Sequence, residues 1–187
     1  MDRGRHREVK RPDWTQPLRH FKIRQRRLPH WQWPGSVYLL TFRTNGLELS
    51  PAARDIVLAA CLSQHGQTID LHAVVVMPDH VHLILQPLRA EGCADRTQEA
   101  PVHDLGCISH SIKSFSAHEI NRVLERHGRV WQADRFDRII RDEAEYREKL
   151  EYVRNNPVKR GLADDADAYP WTAFPDAPEA TVEEKDA

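Results

Sequence analysis

Residues 69–86 read IDLHAVVVMPDHVHLILQ, and the division of this stretch decides the fold. Ile69 to Met77 and His80 to Gln86 are aliphatic, β-branched runs of strand length, and Pro78–Asp79 between them breaks the ladder. Two strands joined across so short a break predict a hairpin. In its second arm His80 and His82 stand at i and i+2, so both imidazoles share one face and Val81 points to the other.

Working outward, Ser36 to Thr44 (SVYLLTFRT) predicts a first strand, broken at Asn45–Gly46. Ser50 is a helix cap with Pro51 at the first helical position, and the helix runs to about Gln64 before His65–Gly66. Downstream, 87–103 is polar and breaker-rich and predicts a loop. Asp104 caps a second helix ending at His127–Gly128, with Leu105, Ile108, Ile112, Phe115, Ile120 and Val123 at near-helical spacing. Arg129 to Ile140 predicts a further strand, and Arg141 to Asn155 a last helix stopped by Asn156–Pro157, with Gly161 closing the ordered core. The order β-α-β-β-α-β plus one helix is α+β, a ferredoxin-like antiparallel sheet with helices packed on it. That architecture by itself specifies no chemistry.

The chain has 187 residues, 40% hydrophobic and 29% charged, which fits one soluble globular domain. No run approaches the roughly 18 apolar residues of a membrane span, and no apolar secretory segment follows the charged N-terminus. Three widely spaced cysteines without a CxxC pair support neither a disulfide framework nor a zinc site, so a cytoplasmic location is expected. The net charge of −1 hides an asymmetry. Residues 1–30 hold ten Lys/Arg against three Asp/Glu; residues 163–187 hold one Lys against eight Asp/Glu. The expected organisation is a basic arm over 1–30, a domain over 31–162 and an acidic tail over 163–187. An Arg-rich arm suits nucleic acid, whose phosphates it binds by counterion release; a solvated, fold-neutral arm is the plainer alternative.

Two neutral imidazoles on one strand can share a divalent metal, with a third ligand from elsewhere. Glu119 lies four residues after Phe115, about 40° round the helix, near the apolar face, and is a candidate for that ligand. Pairing with Arg122 or Lys113 is its alternative. Basic residues cluster by element: Lys113 and Arg122 on one helix, Arg135 and Arg138 on the next strand, Lys159 and Arg160 after the last helix. These are the candidate DNA contacts. Trp131, Phe136 and Trp171 could stack on unpaired bases, or belong to the core.

From about Leu28 to Phe174 the chain resembles the REP-associated tyrosine transposases, relatives of insertion-sequence-200-type transposases in the HUH superfamily of single-strand DNA nucleases. The motifs that carry the resemblance are VYLLTFRT, VVVMPDHVHLIL, IKSFSAHEIN, VWQADRFDRIIRDE, YVRNNPVKRGL and YPWTAF. It implies Mg²⁺ or Mn²⁺ on His80 and His82, a tyrosine nucleophile that leaves a 5′-phosphotyrosine link and a free 3′-hydroxyl, and a single-stranded hairpin DNA substrate. It leaves the oligomeric state open.

The family tyrosine is expected on the helix after the histidine strand, yet the helix 104–127 contains none. Three readings follow. The nucleophile stands on the last helix, as Tyr152 or Tyr146; or Glu119 and a metal activate a water; or the chain binds hairpin DNA without cutting it. Tyr146 and Tyr152 are about 240° apart round a helix and cannot face one site. Tyr152, beside VRNNPVKRG, is the preferred catalytic candidate, with simple packing as its alternative. Tyr38 is expected in the core and Tyr169 to dock the closing motif.

Overall fold

The structure is a computed structural model and describes residues 22–24, 30–33, 35–89 and 102–175. A small antiparallel pair, β1 (Lys22–Arg24) and β2 (His30–Gln32), forms a sheet of its own across the expected boundary between arm and domain. The rest of that arm, and most of the 87–103 loop, lie outside the described residues.

The main sheet contains β3 (Val37–Arg43), β4 (Ile69–Val76), β5 (His80–Pro87), β6 (Phe136–Ile140) and β7 (Thr172–Ala173). Their order across the sheet is β6-β3-β5-β4-β7, antiparallel throughout. Its first four strands are the ferredoxin-like arrangement. α1 (Pro51–Leu62) connects β3 to β4, and α2 (Leu105–Val123) lies between β5 and β6. Both helices begin as the sequence predicts: Ser50 accepts from the Ala53 amide and Asp104 from the Cys107 amide.

α1 and α2 cover the same face of the sheet. Their buried side chains, including Val57, Ile108, Ile112 and Ile120, pack on Tyr38, Leu40, Phe42, Val81, Leu83 and Leu85. The opposite face carries Leu39, Val75, Met77 and Ile84, and it is covered by α3 (Glu143–Lys159) through Val153, Tyr146, Leu150 and Tyr152. Tyr38 and Trp131 are core residues; the Trp131 ring meets Phe42 edge-on at 4.9 Å and its indole N–H bonds Ser116.

Four expectations about the elements need correction. The expected strand 129–140 is a strand only from Phe136. Before it Val130 and Trp131 are buried against the α1–α2 layer, and Lys113 donates to the carbonyls of Gln132 and Ala133, which a neighbouring strand would otherwise bond. On α2, Phe115 and Val123 are exposed, because the buried stripe runs through Ser109 and Ser116 instead. The last helix does not stop at Asn156–Pro157. Pro157 removes only one amide near the end, and a Schellman turn closes the helix, with the Gly161 amide on Val158 and the Leu162 amide on Pro157. Gly161, at φ +66°, suits that turn.

Nor does order end there. Residues 163–175, expected in the acidic tail, return to the sheet through a short 3-10 turn (Ala166–Ala168) and β7. Tyr169 docks this return as expected: its hydroxyl donates to the Val76 carbonyl and accepts from Arg54, while Arg54 stacks 3.5 Å from the Trp171 ring centroid.

Candidate metal and nucleophile site

Alternation along β5 sends Val81, Leu83 and Leu85 to the α1–α2 layer, so His80 and His82 face α3. Both are buried, with ring centroids 4.7 Å apart. Each has its Nδ1 engaged. His80 Nδ1 lies 2.6 Å from an Asp79 carboxylate oxygen, and His82 Nδ1 lies 2.7 Å from the hydroxyl of Thr41, its cross-strand neighbour on β3.

The charges define what those contacts mean. Burial pulls the Asp79 carboxyl upward, but the hydrogen bond from His80 and the Arg160 guanidinium outweigh it and hold it below the usual carboxylate range. Arg160 donates to both Asp79 oxygens at 3.0 Å. An ionised carboxylate only accepts, so His80 Nδ1 carries the proton. Burial pulls His80 below the ordinary imidazole value despite Asp79, so it is neutral near pH 7. His82 is pushed down to about 3 by burial, then by His80 and Arg43. Two neutral imidazoles, one with Nδ1 fixed as donor by a carboxylate and the other anchored through Nδ1 to a hydroxyl, keep Nε2 as the ligating atom. That is the form a divalent metal needs.

α3 supplies the rest. The Tyr152 hydroxyl lies 3.2 Å from His82 Nε2, and the two rings meet edge-on at 5.2 Å. Tyr146 is committed elsewhere: its hydroxyl bonds His72 Nδ1 at 2.6 Å, where a bulge in β4 turns His72 toward α3. Of the two candidate tyrosines, only Tyr152 reaches the histidines. The Lys159 ammonium lies 5.8 Å from the Tyr152 ring centroid.

Tyr152, Asn156 and Arg160 recur at the four-residue spacing that keeps side chains on one helix face. Tyr152 touches His82, and Arg160 holds the Asp79 that holds His80. Asn156 stands between them on that same helix face. It is buried, and its side-chain carbonyl has no hydrogen-bond partner among the described residues. Sequence reasoning missed this residue; its i+4 spacing from Tyr152 was the available signal.

Glu119 is not the third ligand. It stands on α2, across the sheet from the histidines, and Arg122 binds its carboxylate at 2.8 and 3.0 Å and holds its pKa below the usual range. The reading in which Glu119 activates a water fails with it. Among the described residues no three His, Cys, Asp or Glu side chains come together as a metal cluster. The candidate DNA contacts divide similarly. Lys159 and Arg160 flank the histidines. Arg138 shares their face and pairs with Glu145 at 2.6 Å. Lys113 and Arg122 lie on α2, beyond the sheet, and Arg135 is buried beside Asp137. The structure does not bring those three to the site.

The sheet thus carries paired histidines on a central strand and a tyrosine on the helix facing them. The chain resembles the REP-associated tyrosine transposases. It is 27% identical over 103 residues to a Haemophilus influenzae protein provisionally named as one of them, covering 54% of this chain. The match spans 57% of that protein's length. The fold matches the solved structure of a REP-associated tyrosine transposase bound to a REP hairpin, with a TM-score of 0.60, 20% identity, and coverage of 75% of this chain and 78% of that one. No protein-family model matches the chain. Among the described residues no helix is long and apolar enough to cross a membrane.

Proposed function

We propose that this protein is a metal-dependent, tyrosine-type endonuclease and strand transferase that acts on single-stranded hairpin DNA in the cytoplasm. The observation that carries this reading is the Tyr152 hydroxyl 3.2 Å from His82 Nε2, a contact that only α3's packing on the histidine face creates. The transposase named above, bound to a REP hairpin, supports the substrate class.

The residues fit a divalent ion. His80 and His82 are neutral with Nδ1 engaged, which leaves Nε2 as the ligating atom, and the Asn156 carbonyl is a buried acceptor without a hydrogen-bond partner among the described residues. We assign Mg²⁺ or Mn²⁺ to these three; oxygen and imidazole donors suit either ion. When bound, the ion would polarise a non-bridging oxygen of the scissile phosphate. A bound metal would occupy the His82 Nε2 lone pair, so in the loaded protein the Tyr152 hydroxyl would no longer hydrogen-bond that nitrogen.

Tyr152 Oη then attacks phosphorus. The P–O bond to the 3′ oxygen breaks, that oxygen takes up a proton, and the 5′ phosphate stays on the tyrosine. Lys159 beside the ring favours the phenolate during attack. The bond energy kept in the phosphotyrosine allows the 3′-hydroxyl of another strand to reverse the step without ATP. Asp79 and Thr41 do not react; they hold the imidazoles in place. Lys159 and the residue 1–30 arm are assigned to phosphate contacts.

The test is a covalent-adduct assay. End-labelled single-stranded hairpins from the DNA flanking the protein's own gene are mixed with protein and Mn²⁺ and run on a denaturing gel. Label at protein mass, mapped to the Tyr152 peptide, supports the reading. Retained DNA with neither cut nor adduct makes the protein a hairpin binder and overturns it.

A further inference from the structure

Two phenylalanines are conspicuously exposed: Phe115 on α2 at 58% and Phe136 at the start of β6 at 56%. A lone exposed apolar side chain needs no explanation of its own. Phe136 differs from Phe115 in its register. It pairs with Thr41 on β3, and Thr41 pairs with His82 on β5. Cross-strand partners point to the same side of a sheet, so Phe136, Thr41 and His82 form one row on the α3 face. Phe115 stands beyond the opposite face.

Two strand spacings separate Phe136 from His82, about 10 Å. That is the reach of one or two nucleotides of extended strand. The neighbouring row pairs Arg43 with His80, and Arg43 is solvent-exposed, 3.8 Å from the Asp79 carboxylate. A cation thus lies beside the path between the histidines and the exposed ring. The exposure of Phe136 means that α3 does not bury its ring, although α3 reaches β6 two residues further along, where Glu145 pairs with Arg138.

We propose that Phe136 is a stacking platform for an unpaired base next to the scissile phosphate, and that the single strand leaves the histidines across β3 toward the β6 edge. An aromatic face stacks any base, so Phe136 sets the position of the strand and contributes affinity without reading sequence. Strand placement of this kind brings the scissile phosphate to Tyr152 with no loop having to close. The inference rests on the single-stranded DNA reading above.

The experiment uses the full chain with Tyr152→Phe, which cannot form the adduct, in Mn²⁺. Affinity is measured by fluorescence anisotropy for the same flanking hairpins carrying a short unpaired extension, with an abasic site moved along it. Adding Phe136→Ala should weaken binding roughly 5- to 140-fold, the range for loss of one base–aromatic stack. Phe136→Trp should restore it. One abasic position should weaken binding in the parent and cost nothing more in Phe136→Ala. Affinity unchanged by Phe136→Ala, or additive losses at every abasic position, overturns the platform while leaving the DNA reading intact. A Phe136→Ala variant that turns a dimer into a monomer in sedimentation assigns the ring to contact between copies, and also overturns it. A parent that does not bind the hairpins at all fails the functional reading, and the platform with it.

Discussion

His82 is a buried imidazole held neutral, and this makes acid stability a direct test of the site. In the folded protein its pKa is pushed to about 3 by burial and by the adjacent His80 and Arg43; an exposed histidine titrates near 6.5. The folded value lies below the unfolded one, so the unfolded chain binds the proton more readily. The stability lost to this residue is nil well above about pH 6.5 and grows as pH falls toward 3, where it levels off. The slope is about 1.4 kcal/mol per pH unit, so the penalty at pH 5 is about 2 kcal/mol. Replacing His82 with Gln removes the titration. The assay is urea unfolding of the metal-free protein in EDTA, wild type against His82→Gln, from pH 8 to pH 5. The difference in unfolding free energy should be flat from pH 8 to 7 and then move about 2 kcal/mol in the variant's favour by pH 5. Parallel curves would mean that His82 titrates normally, and the buried, neutral ligand would be lost from the argument.

Other outcomes follow from the same geometry. Tyr152→Phe should abolish the DNA adduct and leave hairpin affinity within about twofold, whereas Tyr146→Phe, which loses the His72 bond, should still form the adduct; gel assays on both separate the roles. Asn156→Ala should weaken Mn²⁺ binding on the order of 10- to 100-fold in calorimetry, and Glu119→Ala should leave it unchanged. His80→Ala with His82→Ala should abolish Mn²⁺ binding altogether. Deleting residues 1–30 should weaken DNA binding and flatten its dependence on salt, because those cations release counterions; an unaltered slope would make the arm a bystander.

Local sequence determined much of this protein. Strand alternation put His80 and His82 on one face, the caps at Ser50 and Asp104 started two helices, and the β-α-β-β-α-β order predicted the sheet. Each of these depends on neighbours within a few residues, where backbone geometry leaves few choices. The residues that meet the histidines were set by packing over long sequence distances. Helical spacing placed Glu119 near a buried stripe, but a helix wheel does not say which side of the sheet the helix covers. Right-handed crossovers put α1 and α2 on the same face, so the histidines had to look the other way, toward α3. The same spacing showed that Tyr146 and Tyr152 could not share a site, yet which one reaches His82 depends on how far α3 slides along the strands, and Val153 and Leu150 fix that by their burial or packing among sheet residues. Phe136 belongs to the site only through two successive strand registers. Asn156 read locally as a helix stop before proline; in the fold it is a buried side chain on the Tyr152 face of α3, because the turn closed by Gly161 satisfies carbonyls at the helix end and lets α3 continue past it.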